Sequence, residues 1–349
     1  MLPKDDKQGD VPESTPLKKI GDYGENLMPA INNILITSAG RRVSLLRNFR
    51  ETLRKLYPEG KVFAMDMSPH LSAACMDADE YVKAPRVTDP CYLMYLEEFC
   101  LRQKINLVVP TIDTELTILA EAREKFAHKG IKLAVSSPEV CATFFLKSST
   151  EAFFVNSGFD TPRIITDLAQ ASYPIFAKKN NSSCSIGAGM VETYEASQAL
   201  QIKDSDYVFQ ELICGDEYTV DCFVDSRGKV LSVVPRKRLE VRDGEVSKAL
   251  ACKDREIIEQ VCILAEKIPG AYGTLTIQVI KTLEGRLVFI EINPRFGGGY
   301  PLSWKAGADF AEYLIKDMLD EEQYYSEEWR DQTLMLRYDA EVIIHGCCI

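Results

Sequence analysis

The stretch Thr274–Tyr300, TLTIQVIKTLEGRLVFIEINPRFGGGY, decides how the chain is read. Its first run, Thr274 to Lys281, is rich in β-branched residues; its second, Leu287 to Asn293, is apolar apart from Glu291 and Asn293. Leu283-Glu284-Gly285-Arg286 between them is a polar turn with a glycine, so the segment reads as a β-hairpin. Side chains alternate along a strand, which puts Glu291 and Asn293 on one face. A turn centred near Glu284 folds Gln278 back opposite this end of the second strand, on the same side of the sheet. Three oxygen donors, Gln278, Glu291 and Asn293, therefore converge. Carboxylate and amide oxygens suit a hard cation, and so few of them suit magnesium (or manganese) held mainly by substrate phosphates. Pro294 ends the strand, and Arg295 then offers a fixed fork for phosphoryl or carboxylate oxygens. The plainer alternative is a core hairpin with a polar mouth. The cost of burying a carboxylate without a partner or metal favours the metal site.

Working outward, 349 residues give room for about two or three domains with sizeable cores, and 46% apolar residues fit a globular chain. The net charge of −11 argues against a nucleic-acid partner, and no apolar run approaches membrane-spanning length. The 11 cysteines are scattered without CxxC pairs and there are only 3 histidines, so no zinc site assembles. Reduced thiols in a cytoplasmic protein are the expectation. Residues 1–32 read as a poorly ordered polar tail, without the apolar core of a signal peptide and with Met28 as an alternative start. Cys347-Cys348 has no physical account.

From Asn33 the composition changes. NILITS (Asn33–Ser38) reads as a buried strand, and Val43, Leu46, Phe49, Leu53 and Leu56 form one face of the helix after it. Lys61 to Met67 reads as a second strand, Glu97 to Lys104 as the end of a helix, Asn106 to Ile112 as a third strand and Lys132 to Ser136 as a fourth. Alternating strands and helices imply an open parallel sheet. Only Gly40 stands where G-x-G-x-x-G would be needed, and Asp66 alone is weak support for a ribose, so a nicotinamide cofactor is rejected. The strand ends around Ser38, Arg41, Thr111 and Asp113 face the crevice where such sheets bind ligands.

Pro138 to Gly158 reads as helix with a break near Lys147, where Ser148 and Glu151 have capping-box spacing. YPIFAKKNNSSCSIGAG (Tyr173–Gly189) is a strand carrying Lys178, followed by a loop of small residues suited to closing over phosphates, though it is no Walker P-loop. YVFQELICGDEYTVDCF (Tyr207–Phe223) reads strand, short connection, strand. The strand Val230–Val234 is followed by Arg236-Lys237-Arg238; Arg236 and Arg238 are candidates to hold the γ-phosphate or an acid substrate. Asp254 to Ile268 is an amphipathic helix, and Gly297-Gly298-Gly299 lets backbone approach a ligand closely. Asp309 to Leu319 is read as helical.

With E-I-N-P-R after so apolar a run, the hairpin resembles the ATP-grasp superfamily, and most closely a single grasp unit of the carbamoyl-phosphate synthase large chain. The resemblance spans roughly Asn33 to Leu319. It implies a fold of mixed α/β and α+β class: a Rossmann-like parallel-sheet (pre-ATP-grasp) domain, a small lid, and an antiparallel-sheet subdomain with the metal site. The expected division is a tail over 1–32, then domains over 33–140, 141–213 and 214–349. The resemblance further implies that Lys147 and Lys178 meet the nucleotide phosphates. The backbone of Glu211, Leu212 and Ile213 would meet adenine, and Glu217 would accept from the ribose hydroxyls. Gln278, Glu291 and Asn293 become the magnesium ligands. The amino-terminal domain would help hold the acceptor substrate, for which Arg41, Asp113, Arg238 and Gly298 are candidates. Where the synthase units carry Arg this chain has Lys178, and its loop holds fewer glycines, which weakens a bicarbonate substrate.

The function expected from these readings is an ATP-dependent ligase that joins a carboxylate to an amine through an acyl phosphate. Lys178, Arg236 and Arg295 would neutralise the transferring phosphoryl group. The rivals are carbamoyl-phosphate or carboxylase chemistry on bicarbonate, and an ATP-binding sensor without turnover. Partners would be ATP and small carboxylate and amine substrates, with no membrane; a homodimer is one assembly open to it.

Overall fold

The computed structural model describes residues 33–181, 187–242 and 244–346. The tail with Met28, Ser182 and Ser183 with the tip of the small-residue loop, Asp243 and Cys347-Cys348 lie outside the described residues. Among the described residues the strands form three sheets.

The first sheet is parallel, in the order β3-β2-β1-β4-β5, built from β1 (Asn33–Ile36), β2 (Lys61–Asp66), β3 (Glu80–Lys83), β4 (Ile105–Val109) and β5 (Lys132–Leu133). Its central strands are buried apolar runs, as a sheet covered on both faces requires. The covering helices are α1 (Val43–Leu56), α2 (Ala73–Asp77), α3 (Tyr92–Arg102) and α4 (Asp113–Ala127). Helix α1 buries Leu45, Leu46, Phe49 and Leu53, each worth about 1.5–3 kcal/mol when fully removed from water. The fourth strand stops at Leu133, short of the expected Ser136. Strand β3 and helices α2 and α4 have no counterpart in the sequence reading.

Between β1 and β4 the strand order reverses, and the chain leaves both strands at a crevice. Glu115 is fully buried there. Its carboxylate accepts from Thr111 N (2.8 Å), Ile112 N (3.3 Å), Ser38 Oγ (3.0 Å) and the Tyr92 hydroxyl (3.3 Å). Asp66 accepts from Gly40 N and Ser68 N, so it is a backbone fastener at this turn.

The chain then passes through α5 (Pro138–Phe145) and α6 (Lys147–Ser157). The break falls where expected, but no capping box forms: Leu146 is the N-cap, and the Asn180 side chain accepts from Ser148 N at 2.9 Å. A small antiparallel sheet follows, β7-β6-β8, from β6 (Ile175–Lys179), β7 (Gly189–Val191) and β8 (Tyr207–Glu211), with α7 (Tyr194–Lys203) beside it. Its own core is Leu168, Ile175, Ala177, Val191 and Phe209.

The third sheet is antiparallel, β13-β12-β9-β10-β11-β14. Its strands are β9 (Asp216–Val224), β10 (Val230–Arg242), β11 (Glu245–Ala251), β12 (Gly273–Lys281), β13 (Leu287–Asn293) and β14 (Thr333–Leu336). The expected hairpin is β12 and β13. Its turn closes through Thr282 N to Arg286 O, with Gly285 at φ 87°, which only glycine adopts without strain. Helix α8 (Arg255–Glu266), capped by Asp254, packs its buried Ile257, Ile258, Val261 and Leu264 on this sheet. Helices α9 (Pro301–Ala306) and α10 (Phe310–Met318) follow the triple glycine. Strand β10 runs on to Arg242, so the basic run lies inside the strand rather than after it. Alternation therefore turns Arg236 and Arg238 to one face and Lys237 to the other, where it pairs with Asp216 at 2.6 Å.

Candidate active site

Register sets four side chains abreast on the third sheet. Arg236 is opposite Thr219, Thr219 opposite Gln278, and Gln278 opposite Glu291. One step along, Asp221, Thr276 and Asn293 make a second row. The hairpin is not smooth: the register shifts after Gln278, leaving Ile290 as an extra residue beside Glu291. Bulges of this kind re-aim side chains near sites. All of these residues but the buried Asp221 line one wall of a cleft, together with Lys147, Phe176, Lys178 and the glycines 297–299.

At one end Lys147 Nζ lies 2.8 Å from Glu291 Oε2, and Asn293 Nδ2 donates to Glu291 Oε1 at 2.6 Å. Burial pushes the Glu291 carboxyl up, but Lys147, Asn293 and Lys178 outweigh it and hold it below the ordinary carboxylate range. Burial draws Lys178 down to about 8, with Glu291 opposing and Lys147 adding to the fall. The Gln278 side chain makes no hydrogen bond among the described residues. One carboxylate and two amides, all hard oxygen donors, fit a magnesium ion that draws its remaining ligands from phosphates and water.

Beyond Asn293 the chain bends away, and Arg295 reaches across to the first sheet's crevice. Its Nε and Nη2 donate to the two carboxylate oxygens of Asp113, each at 2.7 Å. Arg236 is fully buried and donates in the same bidentate way to Asp221, which also accepts from Ser303 Oγ at 2.6 Å. The Nη1 of Arg236 has no hydrogen-bond partner among the described residues. It lies where a Cβ on Gly299 would fall, and a Cβ on Gly298 would come within 2.8 Å of Glu245 Oε2 and 2.9 Å of Arg42 Nη1. The glycines are thus required by three charged groups crowding their backbone.

The residues expected at the site divide into two groups. Lys147, Lys178, Arg236, Arg238, Gln278, Glu291, Asn293, Arg295 and Gly298 line the one cleft. Off its wall stand Arg41, paired with Glu245 at 3.0 Å on the surface, and Asp113, which meets the cleft only through Arg295. Glu211 pairs with Arg163 at 3.1 Å, and Leu212 and Ile213 follow it in the connection to β9. Glu217 is half-exposed and pairs with Arg238 at 3.0 Å. The sequence reading missed the cleft-lining roles of Arg42, Thr219, Glu245 and Thr276. Arg42 is the N-cap of α1, and only the approach of Glu245, at the start of β11, to Gly298 singles it out.

Two comparisons by sequence bear on this geometry. Residues 34–134 match the family described as "PylC-like, N-terminal domain", and residues 203–339 match "ATP-grasp in the biosynthetic pathway with Ter operon". A D-alanine–D-alanine ligase of Streptococcus uberis is 26% identical over 248 residues, which is 64% of this chain and 68% of that one. Among solved structures, the biotin carboxylase domain of Hydrogenobacter thermophilus 2-oxoglutarate carboxylase, in complex with MgADP and bicarbonate, superimposes with a TM-score of 0.69 at 17% identity. That match covers 86% of this chain and 73% of that domain. An L-amino acid ligase from Bacillus licheniformis gives 0.64 at 19% identity, covering 85% and 76%.

Proposed function

We propose, from the premise that the chain belongs to the ATP-grasp superfamily, that it is an ATP-dependent ligase joining a small carboxylic acid to an amine. The observation that carries this reading is the meeting in one cleft of Lys147 from α6, Lys178 from β6, and Glu291 and Arg295 from β13 and the turn that follows it. Binding adenine alone would need none of them. Converging positive charge around hard oxygen donors instead suits a phosphoryl group in transfer.

In this mechanism a carboxylate oxygen of the acid attacks the γ-phosphorus of ATP. The bond to the β,γ-bridging oxygen breaks and ADP leaves. The product is an acyl phosphate, whose carbonyl carbon is then attacked by the amine. Phosphate departs, and the amine loses a proton as the amide forms. Lys147 and Lys178 hold the phosphate oxygens by charge-assisted hydrogen bonds. Arg295, oriented by Asp113, faces the charge that shifts during transfer. Gln278, Glu291 and Asn293 would hold magnesium, which supplies Lewis-acid neutralisation of the phosphates when bound. The lid strand β6 carries Phe176 and Lys178 over the cleft and excludes water from the acyl phosphate.

The test is ADP release with ATP and magnesium across a matrix of small acids and amines. Release that requires both an acid and an amine supports the reading. Tight binding of ATP with no release for any pair would favour a nucleotide sensor.

A further inference from the structure

The cleft has a second end, past the triple glycine, whose charge the proposed phosphoryl transfer does not use. There the carboxylates are already answered. Asp221 is taken by Arg236, Asp113 by Arg295 and Glu217 by Arg238. Glu245 is held by two guanidinium groups, Arg41 at 3.0 Å and Arg337 at 2.9 Å. Arg337 also donates to the Gly298 carbonyl. Arg42 then stands as a third guanidinium beside Glu245, lining the cleft, and its side chain makes no hydrogen bond or ion pair among the described residues.

Two independent features lie at adjacent glycines of the cleft. Arg42 reaches Gly298 from the start of α1, on the parallel-sheet side. The fully buried Arg236 reaches Gly299 from β10 and leaves its Nη1 unpartnered among the described residues. A buried guanidinium donor without an acceptor costs free energy that a bound anion would recover. The crowding also costs Arg42 itself. Burial lowers its ordinary basicity, and Arg295, Arg337 and Arg41 repel it, while Glu245 opposes them. An excess of guanidinium groups over carboxylates is held here, in a partly desolvated place, against their mutual repulsion. Such an arrangement is stabilised by an anion. An amine would find no carboxylate free to receive it, since Glu245 is engaged twice.

We propose that this end of the cleft recognises an acid substrate carrying a second anionic group besides the carboxylate that is activated, and that Arg42 holds this second group. The inference rests on the ligase reading and narrows its substrate to di-anionic acids. A remote carboxylate and a remote phosphate would each satisfy the geometry, because a guanidinium fork matches both. Arg42 is a specificity residue in this account; it touches no reacting atom.

The test uses the full chain and matched pairs of probes that differ in one anionic group: succinate with succinamate, glutarate with glutaramate, and 3-phosphoglycerate with glycerate. Their binding is measured by calorimetry at low salt, with and without a non-hydrolysable ATP analogue and magnesium. The expected result is that at least one dianion binds about tenfold or more tightly than its partner, the scale of one charge-assisted pair. A phosphate preference and a carboxylate preference are told apart by which pair shows it. Arg42→Ala abolishes the preference, Arg42→Lys restores part of it, and neither changes the affinity for the ATP analogue or the melting temperature. The proposal is overturned if no dianion binds more tightly than its partner, if Arg42→Ala keeps the preference, or if Arg42→Ala weakens the nucleotide instead. Failure to bind the ATP analogue at all, with the Arg42-dependent preference intact, would strike the ligase reading and leave the anion site standing.

Discussion

Arg295 and Asp113 form a bidentate pair, both contacts at 2.7 Å, that ties the end of the antiparallel sheet to the switch point of the parallel one. Asp113 opens α4 directly after β4, and Arg295 follows β13 by two residues. The pair is mostly buried on both sides. It fixes where the Arg295 guanidinium stands relative to the cleft, so the proposed acid-binding and phosphoryl-binding parts of the site would share one anchor.

Removing Arg295 should therefore act on the transition state. Arg295→Ala is expected to lower kcat by roughly a hundredfold or more, the usual effect of losing one preorganised electrostatic donor, with a smaller change in ATP affinity. Asp113→Asn keeps the shape and weakens the anchor, and is expected to lower kcat less. The double variant should fall short of the sum of the two effects, because the residues act as a unit. Additive losses in a double-mutant cycle would separate Asp113 from Arg295.

Glu217 provides the contrast. It is half-exposed, off the cleft wall, and its partner is Arg238. If it meets the ribose, its contacts are equal in the ground and transition states. Glu217→Ala should then raise the KM for ATP several-fold and leave kcat nearly unchanged. A fall in kcat matching that of Arg295→Ala would place Glu217 against the transferring phosphoryl group.

The triple glycine yields a graded prediction. A Cβ on Gly299 would overlap Nη1 of the buried Arg236, which Asp221 holds on two sides. Gly299→Ala is expected to cost about 1–3 kcal/mol of stability or more, as overpacking does. At Gly298 the nearest groups are the ends of Glu245 and Arg42, which can yield. Gly298→Ala should melt within a few degrees of wild type while raising the KM for the acid. Denaturant unfolding of both variants checks the order; equal stability of the two would contradict it.

The sequence showed most clearly what depends on local pattern. The alternation that puts Glu291 and Asn293 on one face, with Gln278 opposite, survives in the register, because a short turn with Gly285 allows little slippage. The bulge at Ile290 was not legible, since an extra residue leaves no mark in an apolar run. The extent of β10 was misjudged because charged residues read as a strand end. Arg236 and Arg238 are instead tolerated within the strand by Asp221 and Glu217 on its neighbour β9. Arg42 and Glu245 lie far apart in sequence and meet only beneath Gly298, which no spacing rule foretells. Glu115 was hidden for the same reason: its donors come from the turn after β1, from α3 and from the turn before α4.

Glu115 also sets a pH dependence. Burial raises its carboxyl above the ordinary range, opposed first by the hydrogen bonds from the Thr111 and Ile112 backbone and then by that from Ser38. A folded value above the unfolded one means the native state keeps a proton the unfolded chain has lost. Its contribution to stability is fully present below the ordinary carboxylate value and is lost as pH rises through the raised one. Measured by urea unfolding, the stability of wild type relative to Glu115→Gln should fall from pH 4.5 upward. A difference that grows with pH would show that these donors outweigh burial and hold Glu115 ionised.

The most direct test of the central claim follows oxygen. The acid that supports ADP release is labelled with oxygen-18 in its carboxylate and turned over with ATP, magnesium and an amine in unlabelled water. An acyl phosphate requires one labelled oxygen to leave with each inorganic phosphate, and that is the result expected. Phosphate carrying no label, or no ADP release with any acid and amine, would contradict transfer of the phosphoryl group to a carboxylate.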